Sequence, residues 1–207
     1  MKLHIAGFNH FDPTGRMRLR QWLEQLSATH SEPPAFVAVE WDEGLFAKVK
    51  AQRSMFRNLM EEEWPRASPG LLDELELSLG YGGDTHCEVF SGAKAIWLDQ
   101  GRSDDVEPFA WERLNMYRSF LGQRGLPQDA SSGLSILGQE AWERAGPPSE
   151  GDVRDRKFAR LVLDEIAQSG GGWGIAIVGV NHASANPGYM RRLLEDAEQL
   201  CEVTILR

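Results

Sequence analysis

Leu3, Ile5 and Ala6 mark a short strand over 2–6, and apolar residues then fall at helical spacing, Leu19, Trp22, Leu23 and Leu26, across 16–26. That spacing predicts a helix with one buried side. Ser31, Glu32, Pro33 and Pro34 break that helix, and Phe36-Val37-Ala38-Val39 reads as a second buried strand. Helical periodicity returns over about 43–60, and a loop with two prolines follows at 64–70. Residues 71–90 read as helical at both ends. Gly80, Gly82 and Gly83 mark a break or a close backbone approach between them.

A third strand is predicted over 93–98, followed over 106–145 by two or three helices separated by Gly, Pro and Ser loops. Gly146-Pro147-Pro148-Ser149 closes that region as a linker. Residues 153–168 form an amphipathic helix with Phe158, Leu161, Val162 and Ile166 on one face. A fourth strand is predicted over 175–178. Asn186-Pro187 then reads as an N-cap followed by a first-turn proline, opening a helix that turns Met190, Leu193, Leu194 and Ala197 inward. A closing strand covers 203–206. Apolar strands alternating with helices predict an α/β fold, with a mainly parallel, if not mixed, central sheet and helices on both faces. A chain of 207 residues suits one such domain over 1–207, with 105–150 as a helical insertion.

Composition narrows the function classes. The formal net charge is −9, and no basic run stands out, which argues against a nucleic-acid or anionic-membrane surface. No charged-then-apolar leader and no apolar run of membrane-spanning length appears, so a cytoplasmic location is expected. Cys87 and Cys201 stand outside any C-x-x-C pair and read as small core residues, not as a disulfide framework or a sulfur-rich zinc site.

The chain writes one phrase twice, HIAGFNH at 4–10 and AIVGVNH at 176–182. Each is an apolar run followed by Gly-x-Asn-His, and no other repeat is present. In an open parallel sheet, ligands bind beyond the carboxyl ends of the strands. Gly7, Asn9 and His10 follow the first predicted strand, and Glu40 and Asp42 the second. Asp99 follows the third, and Gly179, Asn181 and His182 the fourth. The glycines would permit tight or left-handed turns that present the histidines, and each asparagine would brace its loop through the amide. Glu40 is either a site carboxylate or an ordinary loop or cap residue, its strand-end position favouring the site; Asp42 reads as a helix cap, and Asp99 is either catalytic or a turn residue. Trp41, Tyr81 and Trp97 either wall an apolar pocket or belong to the core. Of His4, His30 and His86, only His86 is a further site candidate.

These residues resemble the superfamily that joins the TraB and TIKI proteins with erythromycin esterases and the ChaN haem-binding lipoproteins. The resemblance rests on Gly7-Phe8-Asn9-His10 and Gly179-Val180-Asn181-His182, on Glu40 in VAVEWD, on Arg154 and Asp155 in RDRKFA, and on Asp99 closing GAKAIWLD. It spans nearly the whole chain. Two departures stand out: Gln100 occupies a position that often holds arginine, with Arg102 two residues on, and Glu76 and Asp84 compete for a glutamate expected before the third strand. The resemblance implies a site more firmly than a reaction, since its members include metal-dependent proteases, esterases and haem binders.

Three functions therefore stand open. A hydrolase would activate water with an imidazole beside Glu40 to cleave an ester, lactone or peptide bond of a small-molecule or peptide substrate. Arg154 would then stabilise the oxyanion or clamp a carboxylate, unless it is a surface arginine near a helix N-terminus. In a metal-assisted form His10, His182 and Glu40 would hold a divalent ion such as Mn, Co or Zn. A non-enzymatic protein would bind haem or a signalling ligand, and a scaffold would use the fold alone.

Overall fold

A computed structural model describes residues 1–80, 83–101, 105–146 and 151–207. Tyr81, Gly82, Arg102 and the Pro147, Pro148 and Ser149 portion of the linker lie outside the described residues. Five strands form one parallel sheet: β1 (Lys2–Phe8), β2 (Phe36–Val39), β3 (Lys94–Trp97), β4 (Trp173–Gly179) and β5 (Leu200–Leu206), in the order β3-β2-β4-β1-β5. The fold is α/β.

Among the described residues the helices are α1 (Gly15–Thr29), α2 (Glu43–Ala51), α3 (Arg53–Glu63), α4 (Pro69–Ser78), α5 (Thr85–Val89), α6 (Val106–Leu121), α7 (Ala130–Glu143), α8 (Val153–Gln168) and α9 (Met190–Asp196). They cover the sheet unequally. Strand residues Ala6, Phe8, Val37, Val39, Ile175 and Ile177 point into a large core shared with α1 through α7. Their neighbours Leu3, Ile5, Ala38, Ala176 and Val178 point into a smaller core under α8 and α9. This alternation is the period-two geometry of a strand covered on both faces. Helices α6 and α7 pack on α2, α3 and α4 and extend the large core.

Several details differ from the sequence reading. Gly7 and Gly179 lie inside β1 and β4, not after them. The 43–60 region is two helices that meet at Gln52, so that Leu45, Phe46 and Val49 reach the same core as Phe56 and Met60. Asn186-Pro187 opens a turn instead of a helix: Gly188 follows with φ 80°, and α9 begins only at Met190. That helix buries Met190 and Leu194, while Ala197 lies beyond its end and is exposed. Cys87 is exposed and Cys201 half-buried, so neither is a fully enclosed core residue.

Candidate active site

The sheet order sets β2, β4 and β1 side by side, so the residues leaving their carboxyl ends converge from distant parts of the chain. Glu40 follows β2, and its carboxylate is the point on which the others meet. Its Oε2 accepts the Gly179 backbone N–H at 2.6 Å and lies 3.4 Å from His10 Nε2. Its Oε1 accepts from Arg154 Nη2 at 3.0 Å and lies 3.3 Å from His182 Nε2. The same Arg154 nitrogen donates to Asp99 Oδ2 at 2.9 Å. His10, Glu40, Arg154, Gly179, Asn181 and His182 all line one cavity of about 360 Å³.

The two glycines act by close approach and not by turn conformation, since neither has positive φ. A Cβ at Gly179 would stand 2.6 Å from His10 Nε2 and 3.2 Å from Glu40 Oε2, inside the space the site occupies. A Cβ at Gly7 would stand 2.8 Å from the Ala183 Cβ and 2.9 Å from Ile205 Cδ1.

The histidines are held differently. His182 Nδ1 bonds Asp155 Oδ1 at 2.7 Å, and its side chain is 11% exposed. Burial opposes its charged form, but the bonds to Asp155 and Glu40 outweigh burial and raise its pKa to about 10. His182 is therefore an imidazolium at neutral pH. Asp155 is in turn fixed by the capping box it forms with Asp152 at the start of α8, and by the Met190 N–H at 2.8 Å. Burial raises its carboxyl, but His182 and these N–H groups hold it below its usual range.

His10 is 25% exposed and faces the cavity. Its loop is tied to the α6–α7 pair. The buried Arg113 of α6 donates to the His10 carbonyl, Asn9 Nδ2 donates to Ala141 O at 2.7 Å, and Trp142 Nε1 donates to Asp12 Oδ2 at 2.8 Å. Asn9 Oδ1 also accepts from the Phe11 N–H at 3.0 Å, the bracing expected of it. Asn181 is exposed at the cavity wall.

Burial would raise the Glu40 carboxyl, but His10 and His182 outweigh burial and keep it well below the ordinary range. Glu40 is thus a permanent anion. Arg154 is likewise held charged: burial disfavours it, and Glu40 and Asp99 more than compensate.

The remaining candidates fall elsewhere. Asp42 caps α2 through the Leu45 N–H at 2.9 Å. Glu76 faces Arg57 at 3.7 Å, and Asp84 faces Lys50 at 3.2 Å. His86 is buried with Nε2 3.3 Å from Cys87 Sγ. None of these lines the cavity. Trp41 and Trp97 pack with Phe46 in the large core and do not wall the cavity. His4 and His30 pair at the opposite ends of the strands, with Nε2 atoms 3.1 Å apart beside Trp173.

Sequence reasoning missed Arg113, Asp12, Trp142 and the clamp role of Asp155. One signal was legible: Arg113 sits on the inward stripe of α6 with Phe109, Ala110, Leu114 and Tyr117. An arginine on a buried face needs a partner.

The arrangement does not fit the metal ion that the resemblance implies. Both Glu40 oxygens already accept N–H donors, one of them from a guanidinium, and both ring nitrogens of His182 face carboxylate oxygens. Among the described residues, no group of three or more His, Cys, Asp or Glu side chains is set out to hold a metal ion. Haem fits no better, because Nε2 of each histidine faces a Glu40 oxygen. Comparison with protein-family models, with curated proteins and with solved structures gave no match in any of the three. No helix among the described residues is long and apolar enough to cross a membrane.

Proposed function

We propose that the protein is a hydrolase that cleaves an acyl bond, an ester, lactone or peptide, with water activated at His10. The convergence of His10, His182 and Arg154 on one buried glutamate at the wall of a cavity is the observation that carries this reading. The resemblance in the Gly-x-Asn-His segments and Glu40 supports the same class.

The charge states divide the work. His182, already protonated, cannot accept a proton, so the base is His10. His10 Nε2 lies 3.4 Å from Glu40 Oε2 with its ring at the cavity wall, where a water can contact both. The water oxygen attacks the carbonyl carbon as one of its protons passes to His10 Nε2. The imidazolium so formed is stabilised by the fixed charge of Glu40. The carbonyl oxygen gathers negative charge, which the Arg154 guanidinium at the cavity wall offsets. Collapse of the tetrahedral species breaks the bond to the leaving oxygen or nitrogen, which takes the proton back from His10. Glu40, Asp155 and His182 are the fixed frame that orients His10 and Arg154.

The test is a panel of aryl esters, lactones and short peptides assayed with purified protein, its His10→Ala variant and the surface variant Arg160→Gln. Turnover that survives in Arg160→Gln and disappears in His10→Ala is expected. Turnover unaffected by His10→Ala, or none on any member of the panel, would falsify the hydrolase reading.

A further inference from the structure

Across the cavity from the Glu40 cluster's strands, the wall is built by α6 and α7, and it is chemically unlike the floor. Phe11, Met116 and Phe120 supply an apolar surface, and Arg144, just past the end of α7, supplies a guanidinium. Three contacts restrain this arginine. Its Nε donates to Glu140 Oε2 at 3.1 Å, its Nη1 donates to Ser119 Oγ at 2.9 Å, and its Cζ lies 5.3 Å from the Phe120 ring centroid. A long side chain held at three points has already lost most of the rotamer freedom that binding would cost it.

Glu140 also accepts from Arg124 at 3.1 Å, so one carboxylate faces two guanidiniums. Glu143, the next acidic residue of α7, accepts from Gln139. Of these four charged side chains only Arg144 lines the cavity. At the floor, Glu40, Asp99 and Asp155 face Arg154 and His182, and Glu40 itself lines the cavity. The cavity thus presents a guanidinium at its α7 end and the Glu40 carboxylate at its sheet end, with an aromatic stretch in its lining.

We infer that the cavity takes acyl compounds with an apolar body and a free carboxylate, the carboxylate held by Arg144 and the scissile carbonyl directed to His10. The orientation follows from these two groups. A carboxylate at the floor would meet the fixed anion of Glu40, whereas at the α7 wall it meets a restrained fork suited to bidentate pairing. The aromatic lining matches an alkyl or aryl spacer. The assignment of the reacting end rests on the hydrolase reading, but the carboxylate site does not.

Two measurements separate them. Binding of 3-phenylpropionate and of the neutral 3-phenylpropanol is measured by calorimetry on the whole protein. The carboxylate is expected to bind ~10-fold or more tightly, as a charge-assisted bond implies. The preference should vanish in Arg144→Gln, shrink but persist in Arg144→Lys, and stay intact in Arg160→Gln. Equal affinity of the two probes for the wild-type protein, or a preference that survives in Arg144→Gln, overturns the proposal. Thermal melts identify any variant that fails to fold, and the wild-type comparison decides the question without it. In the second measurement, aryl esters of glutarate and of butyrate are compared for turnover. Carboxylate binding without turnover of either ester defeats the hydrolase reading and leaves the anion site standing. Turnover with no preference for the glutarate ester defeats the substrate assignment alone.

Discussion

Phe8-Asn9-His10 leaves β1 and Val180-Asn181-His182 leaves β4, two turns of nearly the same sequence at adjacent strand ends. In the first, the asparagine is buried and bonded to α7, and the histidine is open to the cavity. In the second, the asparagine is exposed and the histidine is shut between two carboxylates. The partners decide the difference. β1 is followed by a loop that α6 and α7 grip through its backbone and through Asn9 and Asp12, leaving the imidazole to face outward. β4 is followed by a turn pressed against the start of α8, where Asp155 waits for the ring. One motif thus yields a histidine open to the cavity and a histidine fixed between carboxylates.

The two histidine variants should break this comparison most sharply. His10→Ala is expected to lower kcat/KM by ~10²–10⁴-fold in a hydrolysis assay while leaving the melting temperature close to wild type. His182→Ala is expected to cost roughly 3–5 kcal/mol in a denaturant titration, because it leaves Asp155 buried without its cation and removes one of the partners of Glu40. A His182 variant as stable as wild type would show that the clamp is not structural.

The charge on His182 also predicts the direction of the pH response. Its folded pKa, about 10, lies above the ~6.5 of an unfolded histidine. Its contribution is therefore fully present below pH ~6.5 and is lost as pH rises through 10, on the order of a few kcal/mol in all. Urea midpoints measured from pH 6.5 to 10 should fall in the wild type, and the His182→Ala variant should lose most of that slope. A flat wild-type profile would place the proton elsewhere.

The glycines extend the contrast at a smaller scale. Gly179→Ala puts a methyl against His10 Nε2 and should lower kcat with little change in KM, whereas Gly7→Ala crowds Ala183 and Ile205 and should cost ~1–3 kcal/mol of stability with activity tracking the folded fraction. The asparagines give the smallest difference. Asn9→Ala loses the bond to Ala141 and should cost ~1 kcal/mol, while the exposed Asn181→Ala should stay within ~0.5 kcal/mol, both read from thermal melts.

Much of this was legible before any coordinates. Unbroken apolar runs with helical periodicity between them specify buried parallel strands, because the hydrophobic pattern encodes which faces are covered. The placement of His10, Glu40, Asp99 and His182 at strand ends followed from that. Strand order was not legible. It is β4, late in the chain, that inserts between β1 and β2 and brings the residues to one carboxylate. The glycine roles were misjudged for a related reason. A glycine chosen for space leaves the same mark in a sequence as one chosen for left-handed backbone, and the neighbour that needs the space is remote: His10 lies 169 residues from Gly179.

The sequence by itself determined the α/β pattern, the strand-end histidines and the Glu40 between them, since local periodicity and turn chemistry act over a few residues. Only the tertiary structure decided which histidine is clamped between carboxylates and which faces the cavity. That depends on Asp155, Arg113 and Ala141, which meet the two turns through long-range packing, and the energy of an ionisable group is set by what surrounds it in space and not by its neighbours along the chain.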